Sequence, residues 1–544
     1  MSESNNTNES QERNYSLWEE IKDYAAGIGV IAIIAVIISI VGALFNLLSD
    51  GVGPLKHKIY SVEDWNALAD YNLAGMTNTI ELMNDLDFSD TEFKPLNMGT
   101  VSVFNGNNYS IKNIKINCID EPIYLMTSES SNNIDVNDLK IDNITINSSI
   151  KDDNVSLFGN KRYNFTNVSI NGKINAPFSY SIGGYSSGED CRIDFVNCKS
   201  ELTITGGKLV GGFIGQGTYS TLENCESNII INSKGICGGF AGNLSNSKIT
   251  SCTNLSDITT TDTAGGLVGV ATNCTFTTCT NEGDISAAKH VGGIAGYQNN
   301  GKITQSINSG NITANVVIDI GTYFVGGIVG THEKGEIMSC TNNGNVSNSH
   351  SMAGGIIGYC LSGVAGCENN GNIYAEVGAG GIVGFAGDNN GTIRISHCVN
   401  NGNVRANGSF AGGVIGIADL NSKDSTTYDI AKVVGMLVKL GANQANKVAL
   451  IKIDSSAMGD FFFDFSNSVM NLFNKATKLE LAYCESNGDI SSDNYAAGLV
   501  GIMLSCAIEE DELNTNEISA NISCSKNKAD GFILADAADI YNLE

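Results

Sequence analysis

Apolar and polar positions follow three different patterns along this chain, and each predicts a different element. From residue 25 to residue 48 the sequence reads AAGIGVIAIIAVIISIVGALFNLL, without a charge and with only Ser39 and Asn46 clearly polar. As a helix this run would be ~36 Å long, enough to cross a ~30 Å hydrocarbon layer with some tilt. It predicts a transmembrane helix over 24–48, behind a polar tail at 1–23. A cleaved signal peptide is the alternative, with a small-residue site at Val41-Gly42-Ala43. The run is longer than a usual signal core, however, and the tail before it is acidic rather than basic. Arg13 and Lys22 on one side are balanced by Lys56 and Lys58 on the other, so charge does not set the orientation.

The second pattern is helical and short. SVEDWNALADYNL, from Ser61, opens with an N-cap serine followed by Glu63 and Asp64 at the positive end of a helix. Val62, Trp65, Leu68 and Ala69 fall on one face. Together with its linker, at 49–78, this helix is expected to cover the open end of a repeating structure, because an exposed end strand invites edge pairing.

The third pattern is periodic. From Gly183 a unit of about 27 residues recurs. One half is a glycine block: GGFIG at Gly211, GGFAG at Gly238, GGLVG at Gly265, GGIAG at Gly292, GGIVG at Gly326, GGIIG at Gly354, GGIVG at Gly380, GGVIG at Gly412, and a final AGLVG at Ala497. The other half reads C-x-N-x-G-[ND]-[IV], as in CTNEGDI from Cys279 and CVNNGNV from Cys398. Each half holds a short β-prone piece bounded by turn residues, too short and glycine-rich for helical repeats. A right-handed parallel β-solenoid follows, one coil per repeat, with ~15 coils and a length of ~70 Å at ~4.8 Å per coil. The fold class is all-β. The first coils are expected at 79–182, the regular repeats at 183–418, and the last repeats with a C-terminal cap at 479–544. Within each glycine block the two apolar residues are expected to alternate between faces, and glycine to supply positive φ or close approach at the corners.

Stacking in register assigns the repeat positions their roles. Asn254, Asn281, Asn308, Asn342, Asn369 and Asn400 share one position, where stacked amides can hydrogen-bond along a ladder. This is a structural array rather than a catalytic one. Eight of the 15 cysteines recur at another position, and Ser306 stands in for the ninth. Exchange with serine indicates a small, partly polar core residue rather than a disulfide framework. No zinc-ligand spacing is present, and a calcium-binding nonapeptide repeat is excluded by the apolar residues that follow each Gly-Gly.

Between the block at Gly412 and Cys484 about 58 extra residues interrupt one coil. Residues 429–447 suit a helix, and Phe461, Phe462, Phe463 and Phe465 lie in the densest aromatic cluster of the chain. The insertion, at 419–478, reads either as a small subdomain packing its phenylalanines on the solenoid wall or as a partner contact. The first reading is preferred, since large apolar side chains are usually core. Phe461, Phe462, Phe463 and Phe465 are the candidate contact residues under the second.

Composition removes several functions. The formal net charge is −27, from 31 Lys+Arg against 58 Asp+Glu, which argues against nucleic acid as partner. Five histidines without a ligand arrangement leave little for metal or imidazole chemistry, and no cofactor is expected. Parallel β-helices also host polysaccharide lyases and hydrolases, which use paired carboxylates or a cation. Asp85 with Asp87, and Asp152 with Asp153, are the available acidic pairs; Lys289 and His290 stand without partners in the sequence pattern. None carries a second group that marks a tuned site, so no catalytic residue is assigned and the chain is expected not to be an enzyme.

The repeats resemble a known family. GGLVG at Gly265 and its siblings look like GLUG repeats of bacterial surface proteins, which include adhesin-like proteins and non-catalytic regions of some immunoglobulin-A-specific metallopeptidases. IYSVEDWNALADYNLAG from Ile59, TIELMNDLDFSD from Thr79 and FNGNNYSIKNIKIN from Phe104 are similar to the opening segment of right-handed β-helix surface proteins. The resemblance spans roughly 59–530 and implies an exported, adhesin-like protein whose repeats are scaffold. No metallopeptidase or wall-sorting motif accompanies it. The expectation is a non-catalytic single-pass membrane protein with its solenoid outside the cell, engaging a protein or glycan on another cell or host. A carbohydrate-active enzyme and a scaffold on the cytoplasmic face are the alternatives; oligomeric state stays open.

Overall fold

A computed structural model describes residues 55–70, 77–98, 101–127, 133–159, 162–188, 192–314, 323–387, 393–408, 410–419, 479–492, 495–503, 517–518, 522–524 and 529–530. They form an all-β parallel solenoid of about 11 turns, right-handed in type, with almost no helix. The expected ~15 coils were too many. One apolar segment, residues 24–48, lies outside the described residues, as does the insertion beyond Asp419; among the described residues no helix is long and apolar enough to cross a membrane.

One turn shows how the repeat folds. Ala264–Gly265 is a short strand on a 12-stranded wall, Val268–Thr277 belongs to a 20-stranded wall, Thr280–Asn281 to a 16-stranded wall and Ile285–Ala287 to an 8-stranded wall, before His290–Gly292 begins the next turn. Every pairing between coils is parallel, and equivalent residues stand directly over one another, as Asn254, Asn281 and Asn308 do. At the N-terminal end α1 (Val62–Ala69) is capped by Ser61, whose hydroxyl accepts from Asp64 N–H at 3.2 Å. Trp65 is buried against Phe88, Phe93 and Phe104 and donates Nε1–H to the Lys94 carbonyl at 2.9 Å.

The glycine block departs from the alternation expected of it. Both of its apolar residues are fully buried in one core, for example Leu267 with Val268 and Ile328 with Val329. The backbone bends between the two short strands instead of continuing as one, so both side chains turn inward. The first of these positions forms an axial stack, aromatic in the early coils: Tyr185 on Phe213 at 5.0 Å and Phe213 on Phe240 at 5.0 Å. Glycine is required here for close approach, not for positive φ. A Cβ on Gly293 would collide with the Asn308 amide across the bore and with the Gly327 carbonyl of the next coil.

That space is what the buried asparagines occupy. Each is fully enclosed. Asn308 donates Nδ2–H to the Gly310 carbonyl at 2.8 Å and to Asn342 Oδ1 at 2.7 Å, and accepts from Asn281 Nδ2 at 2.7 Å. The same geometry runs unbroken from Asn254 to Asn400, always donating toward the C-terminal end. Where the asparagines give way to serine, Ser200 and Ser227 donate instead to the carbonyls of Gly212 and Gly239 across the bore. Ser486, beyond Asn400, has no hydrogen-bond partner for its hydroxyl.

A second corner explains the cysteines. The residue before each adopts the left-handed conformation, as Asn197 (φ 54), Asn224 (φ 53), Thr278 (φ 51) and Tyr483 (φ 54) do. The buried thiol then donates to the carbonyl two residues back: Cys252 to Thr250 at 3.3 Å, Cys340 to Met338 at 3.3 Å. Ser306 makes the same bond to Thr304 at 3.1 Å, which is why serine substitutes there. Twelve cysteines, from Cys118 to Cys484, are buried and free.

Two stability tests follow. Asn308→Ala removes three buried amide bonds and leaves partners unsatisfied at ~1–3 kcal/mol each; a loss of about 3 kcal/mol in denaturant unfolding is expected, while Ser486→Asn, which extends the row opposite Gly413, raises the midpoint. A β-branched residue in the left-handed region is costly, so Thr278→Gly is expected to stabilise by about 1 kcal/mol in the same assay.

Candidate functional site

The acidic pairs are surface features engaged by their own neighbours. Asp85 accepts from Ser110 N–H at 2.8 Å and pairs with Lys112 at 2.7 Å. Asp87 accepts from Asn113 Nδ2 at 2.7 Å and Ser89 N–H at 2.9 Å. Those bonds, to Lys112 and to Asn113 first, hold both carboxyls below the usual range, so neither is set up as a proton donor. Asp152 pairs with Lys208 at 2.8 Å, whose ammonium lowers its pKa, and Asp153 accepts from Asn154 N–H at 2.7 Å. Lys289 and His290 are not without partners, contrary to expectation: Lys289 pairs with Asp262 at 2.8 Å, and His290 Nδ1 lies 2.8 Å from Thr331 Oγ1. Phe461, Phe462, Phe463 and Phe465 lie outside the described residues.

The structure brings together a different set. Two rows of side chains flank the bend of the glycine block. One row, two residues before the paired glycines, runs His290, Phe324, Met352, Gly378, Phe410. The other, just after the last glycine, runs Tyr297, Thr331, Tyr359, Phe385, Ile417. Their chain neighbours, such as Val291 and Val325, point into the main core, so these rows face outward. They pack on each other as a second apolar cluster, separate from the bore. Phe324 stacks on Tyr359 at 4.6 Å, Tyr359 tilts on Phe385 at 5.4 Å, and His290 meets Tyr297 edge-on at 5.6 Å. Phe324, Phe385 and Phe410 are buried, whereas His290, Tyr297 and Tyr359 keep part of their surface in solvent. The sequence signal for this seam was the aromatic residue flanking each glycine block; it is easily read as ordinary strand composition.

On the 16-stranded wall and its corner the surface is amide-rich. Asn343, Asn370, Asn401 and Asn487 form an exposed row linked by Nδ2 to Oδ1 bonds of 3.0, 2.9 and 2.9 Å. A neighbouring row, Asp284, Asn311, Asn345, Asn372, Asn403 and Asp489, is tied to backbone N–H groups of successive coils. In the first row Asn370 and Asn401 each spend one donor and one acceptor along the row, and a carboxamide has a second hydrogen to donate and a second lone pair to accept with. Such rows can meet the polar groups of a peptide or the hydroxyls of a glycan. Among the described residues no group of three or more His, Cys, Asp or Glu could hold a metal ion.

No protein-family model matches the chain, and no curated protein matches it either. Among solved structures, one named IgA1 Protease aligns over 70% of this chain and 24% of its own, at 16% identity and a TM-score of 0.30. A candidate immunoglobulin A1 protease from Bacteroides ovatus aligns over 62% of this chain and 77% of its own, at 16% identity and a TM-score of 0.19. The chain thus spans about a quarter of the length of the first. One expectation is corrected: the chain is no longer set down as a non-enzyme, since solved structures that align with it are named for a protease. At these TM-scores the likeness carries no argument about this chain's own activity.

Buried His332 and half-buried His290 make stability depend on pH. Burial pushes His290 and His332 down to about 4; Asp262 opposes it at His290, and the backbone at Gly335 opposes it at His332. Both imidazoles are neutral in the fold but take up protons near pH 6.5 when unfolded. The unfolded state therefore binds more protons between about 6.5 and 4, so their contribution is intact above 6.5 and is lost as pH falls toward 4. For His332 the loss is roughly 3 kcal/mol by pH 4. Unfolding midpoints measured from pH 7 to pH 4 should fall more steeply for the native chain than for His332→Gln.

Proposed function

We propose that the chain is a membrane-anchored, cell-surface β-solenoid of GLUG-like repeats that engages a protein or glycan partner through its flanks. The observation that supports this reading is the contrast between an interior asparagine row paired from coil to coil and regular exposed rows of amides beside a partly exposed aromatic seam. A solenoid holds such rows at a fixed spacing of ~4.8 Å without the chain entropy a flexible surface would lose on binding. The apolar run at 25–48 is the proposed anchor, with the solenoid outside.

A scaffold on the cytoplasmic face is the second reading, motivated by the twelve free cysteines from Cys118 to Cys484. Their burial shields the thiols from oxidants, so free cysteines suit an outside location equally well. Protease shaving of intact cells separates the two. Release of peptides from 59–544 while a cytoplasmic control stays intact is expected; release only after lysis selects the inward scaffold. Once the domain is outside, Asn370→Ala with Asn401→Ala is expected to lower binding to a glycan or host-protein array at least several-fold, leaving the unfolding midpoint near that of the native chain because both side chains are exposed.

A further inference from the structure

One interior row of the bore is polar for two consecutive coils. Ala271, Gln298, His332, Cys360 and Ala386 stand over one another at a single register position. Gln298 and His332 are fully enclosed. Neither atom of the Gln298 carboxamide has a hydrogen-bond partner, and the His332 ring, though it lies beside the Gly335 backbone, makes no bond of good geometry at either nitrogen; the Gly335 carbonyl already accepts from Ser362 Oγ at 3.0 Å. Cys360 differs: its thiol donates to the Ser362 carbonyl at 2.9 Å. Nearly all buried polar groups in proteins are paired, with protein or with ordered water, so two adjacent unpaired side chains, in the same bore as a fully paired asparagine row, call for a guest.

The side chains define that guest. A neutral imidazole offers one donor and one acceptor, and a carboxamide two donors and an acceptor, so the guest must both donate and accept. It must be uncharged, since no ionised group lines the row. It must also fit beside coils ~4.8 Å apart; the small side chain of Ala271 is the neighbour of Gln298 on the other side. We propose that the boundary between the Gln298 and His332 coils is a built hydration site, where ordered water bridges the carboxamide to the imidazole. Polar, enclosed positions with several partners are where buried water is retained. A metal cation fits less well, because the one nearby thiol keeps its proton in a bond to Ser362.

The test uses the full chain. A high-resolution crystal structure should show solvent density within about 3 Å of both side chains. A direct Gln298 to His332 hydrogen bond without such density would overturn the proposal, as would an anomalous peak from a bound metal. Unfolding of Gln298→Leu, His332→Leu and the double variant gives an independent reading. If the two share water, each single change strands the other side chain and shifts the unfolding equilibrium about ten-fold toward the unfolded state, while the double variant recovers most of that loss. Single changes that each stabilise, and add in the double variant, mean a dry bore and refute the site. Where a leucine variant does not fold, the density alone decides.

Discussion

A buried carboxamide is costly unless all its hydrogen-bonding capacity is used, and the asparagines of this solenoid use theirs in a way only a stacked neighbour allows. Asn308 needs Asn281 before it, Asn342 after it and the Gly310 carbonyl beside it. No single coil satisfies its own asparagine. The row therefore ties register, coil spacing and bore width together, since a slip of one residue would leave polar groups unpaired on both sides.

The two halves of the repeat are parts of this one device. The second glycine of each block lies across the bore from the asparagine of the same coil, and any side chain there would occupy the amide's place. Serine in the early coils makes a simpler version, a single bond to the facing glycine carbonyl. The cysteine corner then sets the direction from which the asparagine strand enters, with a thiol or hydroxyl closing the turn on the carbonyl two residues back.

Much of this was legible in the sequence because in-register stacking converts a linear period into a spatial column. The coils, the amide row and the exchange of Cys for Ser306 follow from repeat position, and the cap helix with Trp65 and Leu68 inward from its N-cap and helical apolar face. The direction of the apolar pair in each glycine block did not, since alternation assumes an extended strand and the chain bends there. The aromatic seam was missed for a related reason: His290 and Tyr297 are seven residues apart and become neighbours only because that bend folds the coil outward on itself. The orphaned Gln298 and His332 were invisible too, because which face a strand residue takes is settled by the corner before it.

The backbone hydrogen bonds between coils all lie along the rod, from Gly293 N–H to the Gly327 carbonyl and from Gly327 to Gly354, and the amide row lies along it as well. The rod is therefore mechanically anisotropic. Along its axis the rod carries load through coil boundaries in series, each bearing the full force on bonds that point along it, while a sideways load acts across those same bonds. Its tensile strength is therefore that of its weakest boundary, however many well-bonded coils stand on either side.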